Sequence, residues 1–350
     1  MKTSSVSSSS LSTMLRSTIL KAQEKLVGAN KEMTTGRYAD IGVSLGARTG
    51  TTVNLRNQHD RTAGIIDTNG LVSQRLQVTQ QALGGMLDTA QNFLKTLLSV
   101  RNGESGVDVL VSEATNNLQA TIGAANSSMG GQYIFAGINT QQQPLTDYFS
   151  SATAPSKAAA DAAFTSYFGF AQDDPAAANI TAADMTTFLQ TDFSNEFTDP
   201  AWGTNWSTAL DKNIQSRISP NEVVEVSANA NSQQMRDLAK VYTMVADTGT
   251  KGLNQNAYQA LVDEAIKVVN GAIQGLIANQ AQLGSAQARV TTASERLTTQ
   301  RDILAQQIIS NEGVDPYEAK VRVDQLTTQV ETAYALTVKL QSLSILNYMR

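Results

Sequence analysis

The chain has 350 residues, 41% of them hydrophobic and 16% charged, with no Cys, a single His and a net charge of −5. The absence of Cys excludes a disulfide framework, a thiolate metal site and a cysteine nucleophile, and one His59 supports neither a multi-histidine metal site nor a His-dependent triad. A mildly negative charge argues against a dedicated nucleic-acid binder, and the length makes two domains the default expectation.

Met1–Leu20 is rich in Ser and Thr and its apolar residues are scattered, so it does not read as a cleaved secretory signal. No apolar stretch is long enough to span a bilayer, so no membrane insertion is expected. The first periodic run is Leu15, Ile19, Ala22, Leu26, Ala29, Met33, which closes at Thr35-Gly36. A longer run follows: Ile66, Asn69, Val72, Leu76, Thr79, Leu83, Met86, Ala90, Phe93, Leu97, Val100. Its steps alternate between three and four residues, the signature of a heptad seam, and Asn102-Gly103 stops it. The third helical run, Val107 to Met129, is expected to end at Gly130-Gly131. The apolar Tyr133-Ile134-Phe135, set between glycines, predicts a strand that feeds a turn at Asn139.

From 144 to 226 the texture changes. This stretch holds both Trp, seven of the nine Phe and five of the six Pro, with 11 acidic against 3 basic residues. It therefore carries −8, leaving +3 for the rest of the chain. Aromatic enrichment without heptads predicts a compact insert with its own small core. Its acidic skew reads as a solvated outer surface; Asp173-Asp174 before Pro175 lacks the alternating oxygen ligands of a calcium loop. Helical periodicity returns in Leu238–Val245, in Leu261, Ala265, Val268, Ala272, Gly275, Ile277 up to Leu283, and in Val290–Ile309. Asn311-Glu312-Gly313 then breaks the pattern, and Asp315-Pro316 restarts it, with Asp315 as N-cap and Glu318 in the first turn. The last helix carries Val323, Leu326, Val330, Ala333, Leu336, Leu340, Leu343 and Leu346. The expected fold is mainly α: a long antiparallel, coiled-coil-like bundle of N- and C-terminal arms, with a central inserted mixed α/β domain preceded by a short β-hairpin. The expected boundaries are 1–143, 144–226 and 227–350.

An apolar stripe along a whole helix must be buried, at about 1.5–3 kcal/mol per large side chain, and isolated helices are marginal in water. The terminal stripes either pair within one molecule or pair with neighbouring molecules on assembly. Small and polar seam residues such as Ala22, Ala29, Asn69 and Thr79 favour many weak, registered contacts, but the pattern leaves both options open.

Three segments resemble the bacterial flagellin superfamily. Lys31-Glu32-Met33-Thr34-Thr35-Gly36-Arg37 is similar to its helix, Ser/Thr-Gly-Lys/Arg, turn element. Gly131-Gln132-Tyr133-Ile134-Phe135-Ala136-Gly137 resembles its Gly-x-Tyr-Leu/Ile-Phe-x-Gly hairpin. Tyr334-Ala335-Leu336, followed by Leu340 through Tyr348, is similar to the closing helix of the superfamily's hook-associated, hook–filament junction branch. The resemblance spans roughly 1–143 and 227–350. It implies a subunit exported uncleaved through the type III route, extracellular in the flagellum and without enzymatic activity. Its implied partners are other copies of itself, a neighbouring hook-associated protein, flagellin and an export chaperone, with no nucleic acid. It also implies terminal helices that pair into a tubular core on assembly. Relatives follow Gly-Arg with an Asp- and Pro-containing turn; Tyr38–Ser44 has no Pro, so no conformation is carried over beyond Arg37.

The expected assembly residues are Leu15, Ile19, Leu26 and Met33 at one end and Val323, Leu326, Val330, Leu336, Leu340 and Leu343 at the other, with Thr35, Gly36, Arg37, Tyr133, Phe135 and Gly137 shaping the turn and hairpin. No catalytic, cofactor or metal residue is expected: His59 has no second His or clustered carboxylate, and no phosphate-cradling Gly loop occurs. Gly84-Gly85, Gly28, Gly271, Gly275 and Gly284 read as sites of close helix packing. A flagellin proper, a cytosolic helical adaptor, and an enzyme housed in the aromatic insert are the competing readings.

Overall fold

The computed structural model describes residues 8–101 and 106–348. The helices are α1 (Ser8–Thr35), α2 (Ile41–Leu45), α3 (Thr49–Val100), α4 (Val107–Ala125), α5 (Pro155–Phe168), α6 (Ala182–Gln190), α7 (Asp192–Asn195), α8 (Gln233–Asp247), α9 (Gln255–Glu312) and α10 (Pro316–Tyr348). Two antiparallel hairpins interrupt them: β1 (Ser128–Met129) with β2 (Gln132–Tyr133), and β3 (Gln215–Ser219) with β4 (Glu222–Glu225). The chain divides into two compact units, one made of residues up to 64 and from 296 onward, the other of Ile65–Glu295.

In the 65–295 unit, every seam position of α3 from Asn69 to Val100 is buried, and Leu76, Leu83, Ala90, Phe93 and Leu97 are wholly so. The facing surfaces come from α4, α8 and α9, whose own buried lines include Leu110, Leu118, Leu238, Val241, Leu261, Ala265 and Leu276. α9 runs antiparallel to α3: Gln80 donates to the Gln280 carbonyl at 2.8 Å, and Asn69 donates to Ser294 Oγ at 3.1 Å. Asn69 also donates to the Ile218 carbonyl at 2.9 Å, so the side-chain N–H groups of this buried seam residue are paired while its Oδ1 is not. Thr79 bonds back to the Arg75 carbonyl at 2.8 Å.

α9 is one unbroken helix, and its buried line differs from the expected one. Val269, Ile273 and Leu276 face the core, whereas Ile277 is exposed. Of the predicted packing glycines, Gly275 is the tight one: a Cβ there would lie 2.7 Å from Gln234 Cβ on α8. At Gly84, Gly28, Gly271 and Gly284 a Cβ would meet neighbours at ordinary contact distance, and at Gly85 nothing.

The third helix ends at Ala125 and not at Met129. Asn126 turns the chain by exchanging two hydrogen bonds with the Leu145 backbone, both 2.9 Å, which frees Ser128-Met129 to pair with Gln132-Tyr133. Gly130 and Gly131 both have positive φ, as a tight two-residue hairpin turn of the favoured hand demands. The predicted strand is correspondingly short. Beyond Tyr133 the buried Ile134, Phe135 and Ala136 follow irregular backbone.

The buried aromatic residues of 144–226 join the core of this unit, continuous with the buried faces of α3, α4, α8 and α9, and do not form a separate one. Phe164, Phe168, Phe188, Phe193, Phe197, Trp202, Trp206 and Tyr148 form a continuous chain of ring contacts with centroids 4.7–6.4 Å apart. Arg236 caps Trp202 with its guanidinium 5.5 Å from the ring centroid and pairs with Asp199 at 2.9 Å.

Candidate assembly interface

The other unit is built on the pairing of α1 with α10. They run antiparallel: Gln23 Nε2 donates to Tyr334 Oη at 2.6 Å, and Arg322 pairs with Glu32 at 2.8 Å. Along α1, Ile19 and Ala29 are buried while Leu15, Ala22 and Leu26 are half-buried. Along α10, Val330 is buried and Val323, Leu326 and Ala333 are half-buried. These predicted residues therefore share one seam.

Met33 and Leu336 do not join it; they are 41% and 48% exposed. Glu32 takes the buried place next to Met33, because Arg322 neutralises it and the Ala39 N–H donates to its Oε1 at 3.2 Å. On α10 the seam steps from Ala333 to Thr337, a half-buried polar residue that apolar counting passes over. The side chains of Leu340 and Leu343 lie outside the described residues.

Both helices also carry apolar side chains that stay largely exposed among the described residues. Met14, Leu20 and Val27 (70% exposed) project from α1 beside Met33, and Tyr317, Val321, Tyr334, Leu336 and Val338 project from α10. Scattered exposed apolars need no explanation, but a heptad-spaced pair such as Leu20 and Val27 on one helix makes a second stripe.

The turns at the end of this pair are fixed by polar contacts. Gly36 adopts φ +66°, the left-handed conformation a helix C-terminus uses, and its N–H donates to the Glu32 carbonyl at 2.8 Å. The Thr35 hydroxyl donates to the Lys31 carbonyl at 2.7 Å and accepts from the Arg37 N–H at 3.3 Å. Arg37 and Gly313 then form an antiparallel bridge, with the Tyr38 N–H donating to the Glu312 carbonyl and the Val314 N–H to the Gly36 carbonyl, both 3.0 Å. The turn after α1 is thereby bonded to the turn between α9 and α10.

Glu312 anchors this junction with a side chain fully buried among its neighbours. Arg56 grips both carboxylate oxygens, and Arg37 approaches at 3.7 Å. The hydrogen bond to Glu312, more than its charge, raises the Arg56 pKa above its ordinary value. Asp40, in the Pro-free segment after Arg37, caps α2 through the Val43 N–H at 3.0 Å. Asp315 caps α10 as predicted, accepting from the Tyr317 N–H at 2.8 Å. Sequence reasoning placed Thr35, Gly36 and Arg37 in the turn but missed Glu32, Arg56, Glu312 and Arg322. The one available signal was Glu312 lying directly before a helix-breaking glycine.

The hairpin residues serve the 65–295 unit. Phe135 is fully buried, and Tyr133 is half-buried with its N–H donating to the Thr140 carbonyl at 2.9 Å. Gly137 has φ +63°, and a Cβ on it would lie 2.1 Å from the Leu210 carbonyl oxygen, so no other residue fits. Around it the chain zips together: Leu210 N–H to Ala136 O at 3.2 Å, Ile138 N–H to Lys212 O at 3.0 Å and Ala230 N–H to Phe135 O at 2.8 Å. The segment thus ties 210–212, late in the insert, and Ala230, just beyond it, to the chain that leads into it.

No group of three or more His, Asp or Glu among the described residues is arranged to hold a metal ion. His59 Nδ1 lies 3.0 Å from Asp60 on the surface of α3. Asp174 caps a short helical turn through the Ala176 N–H at 2.8 Å. No helix among the described residues is long and apolar enough to cross a membrane.

Comparison with known proteins bears on this arrangement. The family model of the bacterial flagellin N-terminal helical region matches residues 6–140, and that of the bacterial flagellin C-terminal helical region matches 266–349. Together they account for well over half of the chain. Among solved structures, one from Vibrio parahaemolyticus assigned as a flagellar hook-associated protein is similar in fold, with a TM-score of 0.51 at 8% identity, covering 75% of this chain and 96% of that one. Bacillus cereus FlgL gives a TM-score of 0.47 at 14% identity over 74% of this chain and 98% of its own. The curated protein sequences gave no match.

Proposed function

The chain belongs to the bacterial flagellin family, whose members are structural proteins of the flagellum, and from that premise we propose that it is the junction subunit joining the hook to the filament. The observation that carries the assembly part of this reading is the α1–α10 pair, which buries one apolar seam and leaves further apolar side chains uncovered along both helices. Neighbouring copies bury the exposed Met33 and Leu336 and the open part of Leu15, Leu26, Val323 and Leu326, while Ile19 and Val330 hold together the pair that presents them, and Leu340 and Leu343 extend the same helix. The junction role, as opposed to that of the filament subunit, is supported by the Gly131–Gly137 hairpin and by the closing Ser344-Ile345-Leu346-Asn347-Tyr348.

In this reading 1–143 and 227–350 are the arms, and 144–226 is an outer insert with an acidic surface. The subunit carries out no chemistry. It leaves the cell by way of an export chaperone and stands outside it, between another hook-associated protein and flagellin. A ring of such subunits accommodates the mismatch between a bending hook and a stiffer filament.

Labelling of the protein in intact flagella tests the role. A single band at the hook–filament boundary is the expected result. Labelling along the whole filament would make the chain a flagellin, and its retention in the cytosol would remove it from the flagellum.

A further inference from the structure

Arg75 lies on α3 in the 65–295 unit, against the β1–β2 hairpin. It is only 8% exposed, yet it forms no ion pair among the described residues. Its one side-chain partner is a neutral amide, Gln132 Oε1, which accepts from Nη2 at 3.1 Å. Burial alone accounts for the lowering of its pKa. The sequence explains the missing counter-ion. From Leu71 to Thr79 α3 has no acidic residue, and the hairpin from Asn126 to Tyr133 has no charged residue at all. On the facing stretch of α9, 281–294 holds a single charge, the cation Arg289, which is already paired with Glu222 at 3.0 Å.

A guanidinium presents five donors in a rigid fork, and a half-desolvated cation without an anion is an unfavourable state that an arriving carboxylate relieves. Here Gln132 holds the fork in place, while 8% of the Arg75 surface stays open to solvent. The fixed orientation lowers the ordering cost of a bidentate carboxylate contact. The same chain supplies the complementary charge, because its insert carries −8 against +3 for the remainder. In the assembly reading above, copies lying side by side bring both signs to the contact.

We propose that Arg75, positioned by Gln132, is a receptor for a carboxylate on the insert of a second copy of this chain, and so an inter-subunit contact separate from the terminal helices. This inference rests on the assembly reading above. It predicts that sodium acetate shifts the Arg75 Nε–Hε NMR signal of the monomer, while sodium chloride at equal ionic strength does not. Gln132→Ala, at an exposed position, should weaken that shift without unfolding the chain. Arg75→Gln should raise the concentration needed for assembly about tenfold or more, the size of one charge-assisted contact, and Arg75→Lys by less. An Arg75 signal indifferent to acetate would overturn the proposal. So would an acetate shift combined with unchanged assembly of Arg75→Gln and Gln132→Ala, which would reveal a site for small anions only. Failure of the wild-type chain to assemble would instead strike the assembly reading, and the acetate titration would still decide whether Arg75 is a receptor.

Discussion

Two seams of the same period lie in the two compact units, and they differ in how completely they are covered. On α3, Leu76, Leu83, Phe93 and Leu97 have no exposed surface; on α1, Leu15 and Leu26 keep part of theirs, and Leu20 and Val27 are uncovered. The difference follows from the number of faces offered. α3 shares one core with α4, α8 and α9, three surfaces from one chain, whereas the large contact surface of α1 among the described residues is that with α10. One partner can cover one stripe of a helix, and a helix with two stripes needs a second partner. The 65–295 unit therefore covers its own apolar seam, while the terminal pair is held in register by Glu32–Arg322 and the Glu312 junction with apolar surface still to be buried.

The largest expected effect tests the coverage of α3. Phe93→Ala removes a ring packed edge-on against Tyr242 at 5.1 Å and should cost about 3–5 kcal/mol in denaturant unfolding of the monomer. Leu26→Ala, by contrast, should cost about 1 kcal/mol in the monomer because its site is already half open, and should act mainly on assembly. Equal losses in the monomer would erase the distinction between the units.

The next effect concerns the turns. Glu312→Ala leaves Arg56 and Arg37 without their shared carboxylate. The cost should be about 2 kcal/mol, below that of breaking a fully buried pair because both guanidiniums stay partly solvated. Thermal unfolding followed by a probe on α10 should register it, and a probe in the aromatic insert should not.

A matched pair of glycine changes is smaller. Gly275→Ala forces a Cβ against Gln234 and should destabilise by about 1–2 kcal/mol, whereas Gly85→Ala meets nothing and should stabilise by up to about 1 kcal/mol. Calorimetric midpoints moving in opposite directions would confirm that only one of these glycines is needed for packing.

The smallest effect is electrostatic. Burial raises the Glu196 pKa, and the Asn205 hydrogen bond offsets this only in part. The folded form thus disfavours the ionised carboxylate. The resulting loss of stability is absent below the ordinary carboxylate pKa and develops as pH rises through the folded value. Glu196→Gln should accordingly raise the unfolding midpoint at pH 7 relative to the wild type more than it does at pH 3.

Much of this was legible in the order of residues. The α3 seam was readable from its period because the helix is covered on one continuous line, and the caps at Asp315 and the turn at Thr35-Gly36 are local chemistry. The misplacements share a different cause. Met33 and Leu336 were counted into the seam because counting sees only apolar residues, whereas Glu32 and Thr337 hold those places. A carboxylate can be buried there only because Arg322 arrives from 290 positions away. The early end of α4 has the same origin, since Asn126 finds its partners in Leu145. Long-range polar pairing leaves no periodic trace.

The central claim is that the terminal helix pair is completed by neighbouring copies while the 65–295 unit completes itself. Amide hydrogen exchange on monomer and assembled protein tests it directly. Residues 8–35 and 316–348 should exchange rapidly in the monomer and become strongly protected on assembly, with 76–97 of α3 equally protected in both. Full protection of α1 and α10 already in the monomer, unchanged by assembly, would contradict it.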